Sequence, residues 1–421
     1  MTPPPPPLGK TVRSLGSQIV ARLTTVAVVL TAMAFPALAQ PMSRAEARER
    51  ADKLSALGAE MFSDPRLSDS GKTACASCHD PAHAFAPANA LSVQFGGRDV
   101  SEPGLRAVPS LKYLQAVPQF TEHYFESEDE ADESIDNGPT GGLTWDGRAD
   151  SAHAQARIPL LSPFEMGNAN PDEVVRHALG AGYGPKLASI TGKPLAADSD
   201  ATFEAILKAL EVYQQSWQTF YPYSSKYDAW LAGKADLTPE EERGRELFED
   251  SEKGNCASCH FSVRAHDGTP PQFTDYGMIA LAVPRNPAIP ANADPAYHDL
   301  GLCGPLRTDF ADRPDYCGLF RTPTLRNVAT RKAFFHNGVF HSLKDAVAFY
   351  ATRDTDPGRW YPRRADGSVD IYDDLPARYR DNINMDPPFG GKKGDAPRLD
   401  DGEIDAIVTF LNTLTDGWKP Q

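Results

Sequence analysis

The pentapeptide Cys-x-x-Cys-His occurs twice in this chain, at Cys75, Cys78, His79 and again at Cys256, Cys259, His260. Two thiols at that spacing can add across the two vinyl groups of one haem. The adjacent histidine then reaches the iron from the same side, so in an exported chain the string reads as haem c attachment. A zinc site would want four ligands within one cluster, and a thioredoxin-like redox pair has no use for the histidine. The expectation is two covalently bound haem c groups, with His79 and His260 as iron ligands.

The repeat is longer than the pentapeptide. "LGAEMFSDPRLSDSGKTACASCH" (57–79) parallels "RGRELFEDSEKGNCASCH" (243–260), each with a glycine, a hydrophobic-Phe pair, a polar loop and the motif. A helical stretch precedes each copy. One starts at Ser43; the other has Thr238 as N-cap, Pro239 at the first helical position and Glu241 closing a capping box. A duplicated helix–loop–motif unit implies two similar domains. Residues 202–221 read as the helix closing the first. Residues 400–415 read as a terminal helix with Ile404, Ile407, Val408 and Leu411 on one face. Strand signals are sparse, and 37 prolines with 32 glycines indicate long loops. The predicted fold is mainly α, with two cytochrome c-like haem domains over 40–220 and 221–421.

Residues 1–39 read as a cleaved signal peptide: Lys10, Arg13 and Arg22 precede an apolar run, and "ALA" at 37–39 supplies the small-residue site. An N-terminal membrane anchor is the alternative, but the run is short for a bilayer and no later stretch is long enough. The product is expected in the periplasm, with no membrane span after processing. Removing those residues takes the net charge from −15 to −18, which argues against nucleic acid, whose phosphates need a basic surface. In an exported chain Cys303 and Cys317 are expected to be oxidised, and closing that loop would contribute about 3 kcal/mol on the chain-entropy account. The acidic run within 126–136 reads as a solvated loop, with a docking patch for a basic partner as the alternative.

Five strings together resemble one family, the bacterial di-haem cytochrome c peroxidases and their relative MauG. They are "CASCHDP", "VPSL", "WDGRADSAHAQARIPLLSPFEM", "RTPTLRNVATRKAFFHNGVFHSLKDAVAFY" and the terminal helix, spanning about 57–415. The resemblance implies that the third string builds the pocket over the first haem, where Glu165 and Gln155 act on hydrogen peroxide. It also implies that Trp145 relays electrons between the haems. A carboxyl whose pKa is raised by desolvation can take a proton from one peroxide oxygen and return it to the other.

Three departures from the peroxidase pattern matter. Many family members close the resting first haem with a histidine, but none lies between Phe85 and Val108, so that haem is expected to be open. Fourteen residues after His336, where peroxidases usually supply a methionine ligand to the second haem, stands Tyr350, the residue type MauG uses. His341, Met278 and Met385 are the alternatives. The family often holds calcium through an asparagine two residues before the proline of "VPSL". Here that residue is Ala107, so calcium would have to rely on carbonyls near Arg331 and Ala333 and on water.

The resemblance thus implies a di-haem oxidoreductase that reduces peroxide and, like MauG, oxidises a partner protein. The alternatives are an ordinary peroxidase fed by a small cytochrome or copper protein, and a non-enzymatic electron carrier.

Overall fold

The computed structural model describes residues 42–125, 136–192, 194 and 199–420. The signal-peptide reading and nearly all of the acidic run lie outside those residues. The helices are α1 (Arg44–Phe62), α2 (Cys75–Cys78), α3 (Ala152–Leu161), α4 (Pro171–Gly180), α5 (Gly184–Thr191) and α6 (Ser199–Gln214). They continue with α7 (Trp217–Phe220), α8 (Lys226–Leu231), α9 (Pro239–Glu249), α10 (Leu343–Thr352) and α11 (Asp401–Asn412). Sheet is confined to two small antiparallel pairs. Phe95–Gly96 (β1) meets Glu102–Pro103 (β2), and Met278–Ile279 (β3) meets Phe320–Arg321 (β4). The chain is mainly α, with long connections.

Buried apolar side chains of the unit Arg44–Gln421 fall into two large clusters. One runs from Leu54 to Phe220 and the other from Tyr227 to Leu414. The repeated motif explains how each is built. In the first, α1 crosses α6 at Gly58, where a Cβ would lie 2.0 Å from the Ala209 carbonyl oxygen. In the second, α9 crosses α11 at Gly244, where a Cβ would lie 2.0 Å from the Ala406 carbonyl oxygen. The missing side chain lets two backbones touch, and the following Phe62 and Phe248 fill the space beside the crossing. Gly244→Ala should therefore destabilise by about 1–3 kcal/mol through overpacking, which outweighs the ~1 kcal/mol that alanine returns in helix propensity. A denaturant titration showing no loss would mean that the helices part without cost.

Start signals act locally and hold. Thr238 accepts from the Glu241 N–H while the Glu241 carboxyl accepts from the Thr238 N–H, and Pro239 opens α9. Two features differ from the periodicity. The stretch 202–221 is broken: α6 ends at Gln214, and a turn at Ser216 lets α7 bring Phe220 against Phe85 and Tyr213, at 4.3 and 5.0 Å between ring centroids. In α11 the buried stripe is Ile404, Ala406, Ile407, Phe410 and Leu411, with Val408 only half-buried. The crossing at Gly244 turns Ala406 and Phe410 inward.

Segments around the quoted strings stitch the two clusters together. The Ala107 N–H donates to the His336 carbonyl at 2.7 Å, and the Arg321 N–H donates to the Trp145 carbonyl at 2.8 Å. The Tyr113 hydroxyl reaches Asp416 at 2.7 Å.

Candidate active site and haem centres

Each motif is folded as one turn that presents a neutral histidine. The His79 N–H bonds the Cys75 carbonyl, and the His260 N–H bonds the Cys256 carbonyl. His79 Nδ1 lies 3.0 Å from the Phe85 carbonyl, and His260 Nδ1 lies 2.8 Å from the Phe273 carbonyl. A carbonyl only accepts, so Nδ1 carries the proton in both, leaving Nε2 as the metal-binding nitrogen. Burial pushes His79 down to about 4, against the pull of its carbonyl partners, and lowers His260 too. The four motif thiols are not paired with one another. Burial pushes Cys75 and Cys256 up to about 12 and Cys78 and Cys259 to about 11, which keeps the thiols protonated at neutral pH. Cys303 and Cys317 form a disulfide.

Glu165 is placed by its backbone. The chain leaves α3 at Ser162 and turns tightly, with the Glu165 and Gly167 N–H groups both donating to the Ser162 carbonyl. The Gly97 N–H donates to the Glu165 carbonyl at 2.8 Å, and a Cβ at Gly96 would lie 2.3 Å from that same oxygen. So the region lacking a histidine is a small hairpin, β1–β2, packed on the back of Glu165, and only glycine allows the approach. Burial raises the Glu165 carboxyl, while Ser162 and Arg148 pull it the other way. Its charge acts on Cys75 and Cys78, which puts it at the first motif. Gln155 is half-buried on α3, and no side-chain hydrogen bond joins it to Glu165.

Trp145 is fully seated. Its Nε1–H donates to the Ala107 carbonyl at 2.7 Å, and Ala107 in turn is bonded to His336. The next residue explains the rest of that string. Asp146, with no exposure, accepts from Arg106 at 2.7 Å and from Arg148 at 2.8 Å, and Arg106 also grips Asp299. Burial alone would push the Asp146 carboxyl up, but the two guanidinium groups hold it at about 2.

Around the second motif the protein forms a cavity of about 570 Å³ that Cys256, Cys259, His260 and Tyr350 all line. Tyr350 stands on α10 between Phe335 and Phe389, and among the described residues no partner meets its hydroxyl. Burial and the nearby Cys259 and Cys256 push that hydroxyl well above the usual phenol range, so a phenolate here needs a cation beside it. The alternatives face elsewhere. His341 is exposed and bonds the Lys332 carbonyl, Met385 is exposed against Arg353, and Met278 packs with Leu302 and Tyr316.

The family model for di-haem cytochrome c peroxidases matches residues 52–236. The chain is 34% identical over 387 residues to the methylamine utilization protein MauG of Paracoccus denitrificans, covering 88% of this chain and 90% of that protein. This chain belongs to the di-haem cytochrome c peroxidase family. The diheme peroxidase BthA from Burkholderia thailandensis superposes with a TM-score of 0.77 at 41% identity, covering 86% of each chain. Cytochrome c551 peroxidase of Nitrosomonas europaea is 26% identical, covering 73% of this chain and 75% of that protein. The protein is thus a di-haem peroxidase by family, a family that implies two haem c groups. The residues fit them: two neutral histidines with Nε2 available, thiols free of disulfides, and a mostly apolar cavity at the second motif.

The carbonyls at the calcium position already accept hydrogen bonds. The Ala107 carbonyl is committed to Trp145, and the Arg331 guanidinium itself donates to the Ala333 carbonyl at 3.1 Å. No group of three or more His, Cys, Asp or Glu that could hold a metal ion occurs among the described residues.

Sequence reasoning passed over Arg321, used His336 only as a counting point and Arg331 only for nearby carbonyls, yet all three line the cavity. Only their place in one quoted string pointed to them. His336 is stacked on Phe320 at 3.6 Å, and burial lowers it to about 4.

Proposed function

We propose that this protein is an exported, periplasmic di-haem peroxidase of MauG-like type. It reduces hydrogen peroxide at the N-terminal haem and draws the electrons, through the C-terminal haem, from a partner protein. One haem c is attached at Cys75 and Cys78 with His79, the other at Cys256 and Cys259 with His260, in domains spanning 40–220 and 221–421. Bound haem supplies iron that exchanges single electrons and, where one face is open, binds peroxide. The protein's own groups supply the rest. Glu165 takes a proton from one peroxide oxygen and delivers it to the departing one, so that two electrons and two protons in all yield two waters. Gln155 donates a hydrogen bond without changing charge. Trp145, held between Ala107 and Arg321, offers an indole on the path between the sites.

The observation carrying the MauG-like reading is Tyr350 in the cavity that also holds Cys256, Cys259 and His260. A phenolate is a hard anionic donor that favours ferric iron, where a methionine would raise the potential. The protein is then able to store oxidising equivalents and act on a docked side chain at a distance. Tyr350→Phe should keep both haems attached but change the low-spin electron paramagnetic resonance signal of the second haem. It should also lower oxidation of the partner. Identical signals in the two proteins would make Tyr350 a packed aromatic. The ordinary peroxidase, which the likeness to the Nitrosomonas enzyme favours, would then stand first.

A further inference from the structure

Among the described residues the fully buried arginines hold carboxylates with one exception, Arg321, and it lines the same cavity as Arg331, a half-buried arginine that holds none either. Arg307 grips Asp309, Arg326 grips Asp228 and Arg353 grips Asp354, each at 2.9 Å. Arg321 is buried like these, at 7% exposure, yet its Nε–H donates only to the Thr144 carbonyl at 3.1 Å. Arg331, half-buried, donates only to the Ala333 carbonyl. Neither has a carboxylate within ion-pair distance among the described residues. Asp146 acts on Arg321 at longer range but is bound by Arg106 and Arg148. Burial accordingly pushes both guanidinium groups down to about 10, whereas aspartates hold Arg326 above its ordinary value.

A desolvated guanidinium is costly unless an anion meets it. Apolar side chains such as Leu281, Val283, Phe334, Val347 and Leu411 make up much of the rest of the wall, and of the carboxylates on it Asp299 is held by Arg106, Asp374 by Arg285, and Asp386 is exposed. An apolar slot bearing two unmatched cations is complementary to a flat apolar molecule with two carboxylates, and haem carries two propionates. We propose that Arg321 and Arg331 seat the two propionates of the haem carried at Cys256 and Cys259, and that their charge raises that haem's reduction potential. This rests on the haem attachment given above. It also gives the two arginines different reach. Arg321 is tied to the Trp145 carbonyl through its backbone N–H and to the Thr144 carbonyl through its Nε–H, so its charge lies beside the segment that carries the indole. Arg331 also borders a small hollow beside Ala107 and acts electrostatically on His79, so it stands toward the first motif. A positive charge near the iron favours the ferrous state, which carries one charge less.

The test is a redox titration of the holoprotein, following the visible spectrum of the second haem. Arg321→Gln and Arg331→Gln are compared with the charge-keeping Arg321→Lys and Arg331→Lys. Each glutamine variant should shift the reduction equilibrium about tenfold toward ferric, or about 59 mV for a one-electron couple, and the lysine variants should recover most of it. Equal potentials in all of them would overturn the inference. Should a glutamine variant fail to fold, resonance Raman of the wild-type protein reads the contact directly. Propionate bending bands should move when the N–H groups are exchanged for N–D, and bands that stay put would equally overturn it. Haem counting separates the two failures. A wild type with fewer than two covalent haems sinks the attachment itself, whereas two haems with indifferent potentials sink only the role of the arginines.

Discussion

Glu165→Gln is expected to keep both haems and the fold while slowing peroxide consumption by about 10²-fold or more, the usual scale for losing a proton-transfer group. The amide has nearly the carboxyl's volume, so the turn at Ser162 and the hairpin glycines behind it should stay in place. What it loses is the ability to take up and release a proton. Stability should move in the opposite direction from activity. Burial raises the Glu165 pKa, so the folded state holds that proton to higher pH than the unfolded chain does. Its contribution is greatest below the ordinary carboxylate range and is lost as pH rises through the folded pKa. Above the unfolded carboxylate range the raised pKa is therefore a net cost, which the uncharged glutamine removes. Stopped-flow mixing with peroxide and a thermal melt at neutral pH read the two effects on one sample. An unchanged rate would remove Glu165 from the chemistry.

Asp146→Ala is expected to destabilise the protein by about 3–5 kcal/mol, because it leaves buried charge without its partner. Arg148 loses its aspartate, and Arg106 is left with Asp299 alone. With its carboxyl held at about 2, roughly 2–3 kcal/mol of that loss is proton-linked. The sign follows from a depressed pKa. The contribution is complete above the unfolded aspartate's value near 4 and disappears as pH falls through about 2. Wild type should therefore lose this part of its stability over that acid window, and the alanine variant should lack it at every pH. Denaturant titrations of the holoprotein at pH 7 and pH 3 would show it. A variant as stable as wild type at pH 7 would mean that solvent reaches Arg106 and Arg148 freely.

How much of the site was legible depends on how far apart its parts lie along the chain. Within a motif the thiols and the histidine are neighbours in sequence, so their spacing alone carries the chemistry, and the Thr238–Glu241 cap is legible for the same reason. Gly58 and Gly244 were visible as a repeat. That they are where α1 meets α6 and α9 meets α11 was not, because a missing side chain acquires meaning only when another backbone arrives. The α11 stripe shows the same limit. Helical period put Val408 on the inner face, but which of two adjacent faces is buried was decided by the closest approach, at Ala406 and Phe410.

Glu165 and Tyr350 were found in the sequence through family likeness, and their positions in strings said nothing of what surrounds them. Their surroundings come from segments far away: the Gly96–Gly97 hairpin behind Glu165, and Phe335 and Phe389 on either side of Tyr350. Arg321 and Arg331 go furthest beyond the sequence. In a chain with 42 basic residues nothing local distinguishes them. What sets them apart is the absence, among the described residues, of a carboxylate within ion-pair distance, together with a shared cavity. Local order along the chain determined the attachment motifs, the helix starts and the mainly α fold, because covalent neighbours stay neighbours in any conformation. Only the tertiary structure decided which charges are left unmatched, because burial and pairing depend on every segment that packs against them.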